Sequence, residues 1–149
     1  MKAKYLYVIA LSGLLTSCAT SDSETLKRAR TIQEQTLKEY NSLDSTLAAR
    51  LNELSAEMST ISTDSTFATD STKIKAFEAL KSKQLEVEAL KQELQNWKNE
   101  LAILPSTEEI ANGATNPFGD KAKDQEVLSA LKKSQEDITT WKSKVNAVK

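Results

Sequence analysis

One cysteine and no histidine stand in a chain of 149 residues, and that inventory decides which chemistry is open to it. Cysteine nucleophiles away from position 18, histidine general bases, Ser-His triads and histidine metal sites are all excluded. Carboxylates remain. Glu53 and Glu57 at helical spacing, and the adjacent Glu108 and Glu109, are pairs of the kind that acid/base work uses, but with no pocket signal beside them they read as solvated faces. The chain is therefore expected to be no enzyme and to hold no metal and no cofactor. Three other groups carry chemistry of a different kind. The Cys18 sulfur closes an apolar stretch, the hydroxyls of Ser45, Ser65 and Ser71 each stand between an aspartate and a threonine, and the Lys149 amine is on the last residue.

Lys2 and Lys4 form a basic start, and the apolar run from Tyr5 to Leu15 is too short to span a bilayer as a mature helix. Its length is that of a secretory signal. The run closes on Leu15-Thr16-Ser17-Cys18. An apolar residue, two small residues and a cysteine in this order resemble the lipobox of bacterial lipoproteins. The resemblance implies that residues 1–17 are a lipoprotein signal peptide, that Cys18 receives diacylglycerol, and that its new amino group takes a further fatty chain such as palmitate. The same residues, read alone, also fit a plain secreted protein with a leftover thiol, or an uncleaved N-terminal anchor. At about 0.8 kcal/mol per buried methylene, one fatty chain holds a protein reversibly and two or three hold it for good. Ala19 after the cysteine resembles the outer-membrane sorting pattern of such lipoproteins, whereas Asp22 and Glu24 are compatible with a surface-export tag. The expected location is the bacterial cell envelope, lipid-anchored in the outer membrane.

Two more resemblances concern the polar groups. Asp44-Ser45-Thr46, Asp64-Ser65-Thr66 and Asp70-Ser71-Thr72 each resemble the acceptor of a general bacterial O-glycosylation system, which makes Ser45, Ser65 and Ser71 candidate glycosylation sites. The same triplets are also ordinary turn and cap chemistry. A lipidated, helical, heptad-bearing chain ending in lysine is similar in layout to the murein lipoprotein. That likeness implies a peptidoglycan linkage through Lys149, although the ending Val145-Asn146-Ala147-Val148-Lys149 lacks the basic-aromatic character of that family.

These groups need elements to position them. Only three glycines and two prolines punctuate the chain, and Ala, Leu, Lys, Glu and Gln dominate long stretches. Such a composition makes helices. Residues 18–23 form a lipidated tether, short enough to keep the first helix within roughly 20 Å of the lipid. From 24 to 61, Leu26, Leu37, Tyr40, Leu47, Leu51, Leu54, Met58 and Ile61 recur at three- and four-residue steps as one apolar stripe. A bend or weak turn is expected over Asn41 to Thr46, where poor helix formers cluster and Asp44 falls on the seam. Ser62 to Thr72 reads as a connection, with Asp70, Ser71 or Thr72 capping a second helix over 71–104.

In that second helix Leu80, Val87, Leu94 and Leu101 occupy one seam position, and Lys83, Leu90, Trp97 and Leu104 the other. Glu86, Glu93 and Glu100 flank one side, Gln84, Lys91 and Lys98 the other, as in coiled coils that choose a partner by charge. Pro105 is expected to stop this helix. Ser106 and Glu109 resemble a capping box for one short turn that Gly113 ends, and Pro117-Phe118-Gly119 marks a loop. A third helix over 121–147 carries Val127, Leu131, Ile138, Trp141, Val145 and Val148 on one face.

Three apolar stripes must bury one another. The fold expected over residues 24–149 is all-α: an elongated antiparallel three-helix, coiled-coil-like bundle, with Trp97 and Trp141 filling its core. Its rival is an intermolecular coiled coil, a homo-oligomer paired through helix two. With helix one rising from the lipid, the 62–72 loop and the C-terminus are both expected roughly 40 to 55 Å from the membrane. The full chain carries a net charge of −1, which becomes −3 once Lys2 and Lys4 leave with the leader, and this is no footprint for nucleic acid. The functional expectation is a non-enzymatic, lipid-anchored spacer or docking module that contacts another envelope protein. A peptidoglycan tether, and a periplasmic chaperone or inhibitor gripping clients by helical surfaces, are the alternatives.

Overall fold

The computed structural model describes residues 23–105, 109, 112, 116–118 and 123–148. It is all-helical, with α1 (Glu24–Ser62), α2 (Ser71–Glu100) and α3 (Asp124–Ala147), and no strand occurs among the described residues. Local side chains set each start by satisfying amide donors that a first turn leaves without partners. Ser23 accepts the Leu26 N–H at 3.1 Å, and Asp70 accepts from Thr72 at 2.9 Å and Lys73 at 3.4 Å. At α3, Glu126 reaches back to the Lys123 N–H at 3.2 Å. The signal peptide 1–17, Cys18 and the tether through 22, Glu108, the turn ended by Gly113, and Lys149 lie outside the described residues.

The helices form the expected up, down and up bundle, with α1 as the element on which both others pack. Opposite charges register the antiparallel pair: Asp44 on α1 binds Lys91 on α2, while Gln33, nearer the start of α1, meets Leu104 beyond the end of α2. α3 runs parallel to α1. Its first residue, Asp124, accepts from Ser23, and Lys142 near its end meets Glu39 at 2.9 Å. Between the helices lie two apolar clusters. Leu43, Leu47, Leu54, Val87, Leu94, Ile138, Trp141 and Val145 fill the middle, and Ala29, Leu104, Val127, Leu128 and Leu131 fill the base. Each fully buried Leu or Ile contributes about 1.5–3 kcal/mol, so the three helices hold one another by their stripes.

The structure differs from the sequence expectations in four places. α1 is continuous through Asn41 to Thr46, with no turn there. Asp44 finds Lys91 across the seam, Thr46 bonds back to the Ser42 carbonyl at 2.9 Å, and the buried Leu43 and Leu47 hold the helix on either side. α2 ends at Glu100 rather than at 104, because Leu101 turns to extended backbone and residues 101–105 pack across α1. Leu101 and Leu104 therefore leave the heptad, and Lys83, at the slot assigned to the seam, is exposed. α3 starts at Asp124, with Lys123 as its cap, rather than at 121.

Finally, the end of α3 does not reach the distal loop. Val148 sits beside Arg50, and α1 runs on over residues 51–62, about 18 Å further. That overhang is an α1–α2 hairpin whose tip is tied locally. Asp64 accepts from the Thr66 N–H at 2.8 Å and the Thr66 hydroxyl at 2.7 Å, Lys73 lies 2.6 Å from its other oxygen, and Phe67 meets Phe77 edge-on at 5.4 Å.

Candidate functional site

Among the described residues the three candidate serines lie on three different segments. Ser45, Ser65 and Ser71 are all exposed, but Ser45 lies in mid-α1, Ser65 in the tip turn and Ser71 on the first turn of α2. The aspartate before each serine has a partner of its own. Asp44 holds Lys91, Asp64 holds Thr66 and Lys73, and Asp70 caps α2. The triplets thus serve as seam, turn and cap while leaving all three serines facing water. Glu53 and Glu57 both lean on one Arg50 nitrogen, at 3.0 and 3.8 Å, which makes them an exposed ion cluster with no enclosed reacting volume. Among the described residues no group of three or more carboxylates or other ligating side chains converges as a metal site.

Two titrating groups are shifted. The Lys73 ammonium, followed by the Thr66 hydroxyl and amide, holds the Asp64 carboxyl far below the ordinary carboxylate range. Burial raises the Tyr40 phenol above 10.0; the Asp44 charge adds to this and Lys91 opposes it. Both shifts belong to structural contacts, one at the hairpin tip and one at the α1–α2 seam. Neither group faces a cleft that would hold a substrate.

The tryptophans pack as core residues. Trp141 is buried, Trp97 lies half-buried against it at 6.2 Å between centroids, and the Lys144 ammonium stands 4.2 Å from the Trp141 ring. Lys144 also meets Glu93, so that two of the α2 flank charges, Glu93 and Lys91, are spent inside the chain on α3 and α1. Phe118 packs half-buried on the basal cluster, and its N–H is bonded to Asn116 at 3.0 Å.

What the sequence reading missed lies at the base. Gln33 sits on α1 at a heptad-seam position and uses both ends of its amide on one residue: it accepts the Leu104 N–H at 2.6 Å and donates to the Leu104 carbonyl at 3.1 Å. One turn nearer the start of α1, Arg30 donates to the Pro105 carbonyl at 2.9 Å. The pair works as a short ladder made of side chains, clamping the extended 101–105 segment to the end of α1 nearest Cys18 in sequence. A polar residue among apolar seam positions was the available signal.

The chain matches no family model, no curated protein and no solved structure.

Proposed function

We propose that the chain is a lipid-anchored, non-enzymatic lipoprotein of the bacterial envelope, in which the bundle is a stiff spacer and docking body held close to its membrane. The observation that carries this reading is the sequence Leu15-Thr16-Ser17-Cys18, closing an apolar leader on the only cysteine. Several features support it. Ser23 caps α1 five residues after Cys18, which leaves a tether of at most ~18 Å. Among the described residues no helix is long and apolar enough to cross a membrane, so a lipid on Cys18 supplies the attachment that those helices do not. The 39 residues of α1 give the body a length of about 58 Å. Ion pairs are scattered along its length, from Glu24–Arg28 at the base to Asp64–Lys73 at the tip, as suits a body that works by position and surface.

The test is the mass and location of the protein. Membrane-purified protein should weigh as a chain starting at Cys18 plus diacylglycerol and an acyl group, and Cys18→Ala should fail to mature or leave the membrane fraction. An unacylated chain, or a Cys18→Ala product still processed and membrane-bound, overturns the reading. The same spectrum reads the exposed Ser45, Ser65 and Ser71: sugar mass on them identifies acceptors, and a bare lipoprotein mass removes that assignment.

A further inference from the structure

A groove of about 410 Å³ opens at the base of the bundle between the first turns of α1 and the start of α3. Ile32 and Leu128 line it with apolar surface, and Lys27, Arg28 and Lys132 give it three cations against the single carboxylate of Glu24. We propose that this groove binds the headgroup of an anionic phospholipid of the membrane to which the chain is tethered.

Three observations carry the assignment. The first is composition: an apolar lining beside a cationic rim matches an amphiphile whose phosphate is negative and whose acyl chains, starting next to it, are apolar. The second is the state of the nearby charges. Glu24 meets Arg28 at 3.6 Å with both side chains more than 70 % exposed, a pairing that holds the guanidinium only weakly. The carboxylates at the start of α3 are engaged elsewhere, since Asp124 accepts from Ser23 and Glu126 from the Lys123 N–H. The third is position. The groove lies within about 12 Å of the start of α1, and the five-residue tether lets that height fall to the headgroup layer. Basic side chains at such a surface strengthen binding by about fivefold each.

The assignment rests on the membrane anchoring proposed above, and the test separates the two. Full chain purified in neutral detergent is titrated with phosphatidylglycerol and followed by native mass spectrometry. One bound phosphatidylglycerol is expected, with much weaker phosphatidylcholine binding and none of glycerol phosphate. The Lys27→Gln/Arg28→Gln/Lys132→Gln variant is expected to lose on the order of a hundredfold in apparent affinity. Glu24→Gln, which removes the one opposing charge, is expected to bind more tightly, a gain that general loosening of the fold would not produce. The three cations are surface residues, so the helical circular dichroism should persist; if the triple variant does not fold, the single variants carry the test at about fivefold each. Equal binding of phosphatidylcholine overturns the charge assignment, glycerol phosphate binding as tight as the lipid overturns the lipid assignment, and variants that bind like the parent overturn the site. Acylation of Cys18 is read from the mass of the lipid-free protein, so its absence sinks the anchor without touching these outcomes.

Discussion

Replacing Gln33 by alanine should unclamp the base of the bundle. The side chain amide satisfies both the N–H and the carbonyl of Leu104, a residue only 5 % exposed, so water does not simply take its place. Two hydrogen bonds are worth about 1 kcal/mol each, and a stranded buried group costs about 1–3 kcal/mol. Because residues 101–105 lie outside any helix and water regains part of the freed groups, the cost falls at the lower end of that sum, at ~3–4 kcal/mol. In urea, followed by helical ellipticity, this is a midpoint shift on the order of 1 M. Amide exchange at Leu104 should accelerate in step. Gln33→Glu gives the control with a sign. Ionised, it still accepts from the Leu104 N–H but sets a negative charge against the Leu104 carbonyl, which raises its folded pKa. It should therefore recover stability as pH falls and the protonated acid becomes a donor. Gln33→Ala lying within 0.5 kcal/mol of the parent, or Gln33→Glu indifferent to acid, would refute the clamp.

Thr36 is 3 % exposed and its hydroxyl has no partner, so Thr36→Val should leave stability unchanged or raise it by about 1 kcal/mol; a clear loss in urea unfolding would mean that the hydroxyl is satisfied. In a chain that starts at Cys18 Tyr40 is the only tyrosine, and ultraviolet titration of that chain should show it ionising above 10.0, more so in Lys91→Met, with return to the ordinary value in denaturant. Because the shift is upward, the stability linked to it is whole below the ordinary phenol value and is lost as pH rises through the raised one. An ordinary titration in the folded chain would show Tyr40 to be open to water.

The residues that sequence alone placed well are those whose burial follows from apolarity at helical spacing. Leu47 and Leu54, Val87 and Leu94, and most of the α3 stripe are buried where periodicity puts them. The ones it missed include Ala29, Thr36, Leu43 and Leu128. Ala29, Thr36 and Leu43 repeat at seven-residue steps as a second seam of α1, but an alanine and a threonine do not register as a stripe. Nor did the end of α2. Leu101 and Leu104 continue the heptad, and what pulls them out of the helix is the pair of polar side chains on α1, Gln33 and Arg30, a tertiary contact that no local window contains. The Leu15-Thr16-Ser17-Cys18 pattern was legible because it lies in four consecutive residues, whereas the basal groove needs two helices side by side before its three cations meet.

That second seam also changes character along the height of the bundle. Its positions on α1 read Ala29, Thr36, Leu43, Arg50 and Glu57: small at the base, large at mid-height, then charged. Ala29 lies in the basal cluster with Val127, Leu128 and Leu131, Thr36 lines a cavity with Leu131, and Leu43 lines one with Lys142, so this seam lies along α3. Arg50 then lines a cavity with Ala147 and Val148 at the end of α3, and above it Glu53 and Glu57 gather around the same guanidinium. A helix continuing over those positions would have to bury that ion cluster, at a desolvation cost of several kcal/mol per charge. The other seam of α1, Leu47, Leu54 and Ile61, stays apolar to the tip, where α1 is paired with α2 alone. The change from apolar to charged residues at one seam position thus falls at the height where three helices become two.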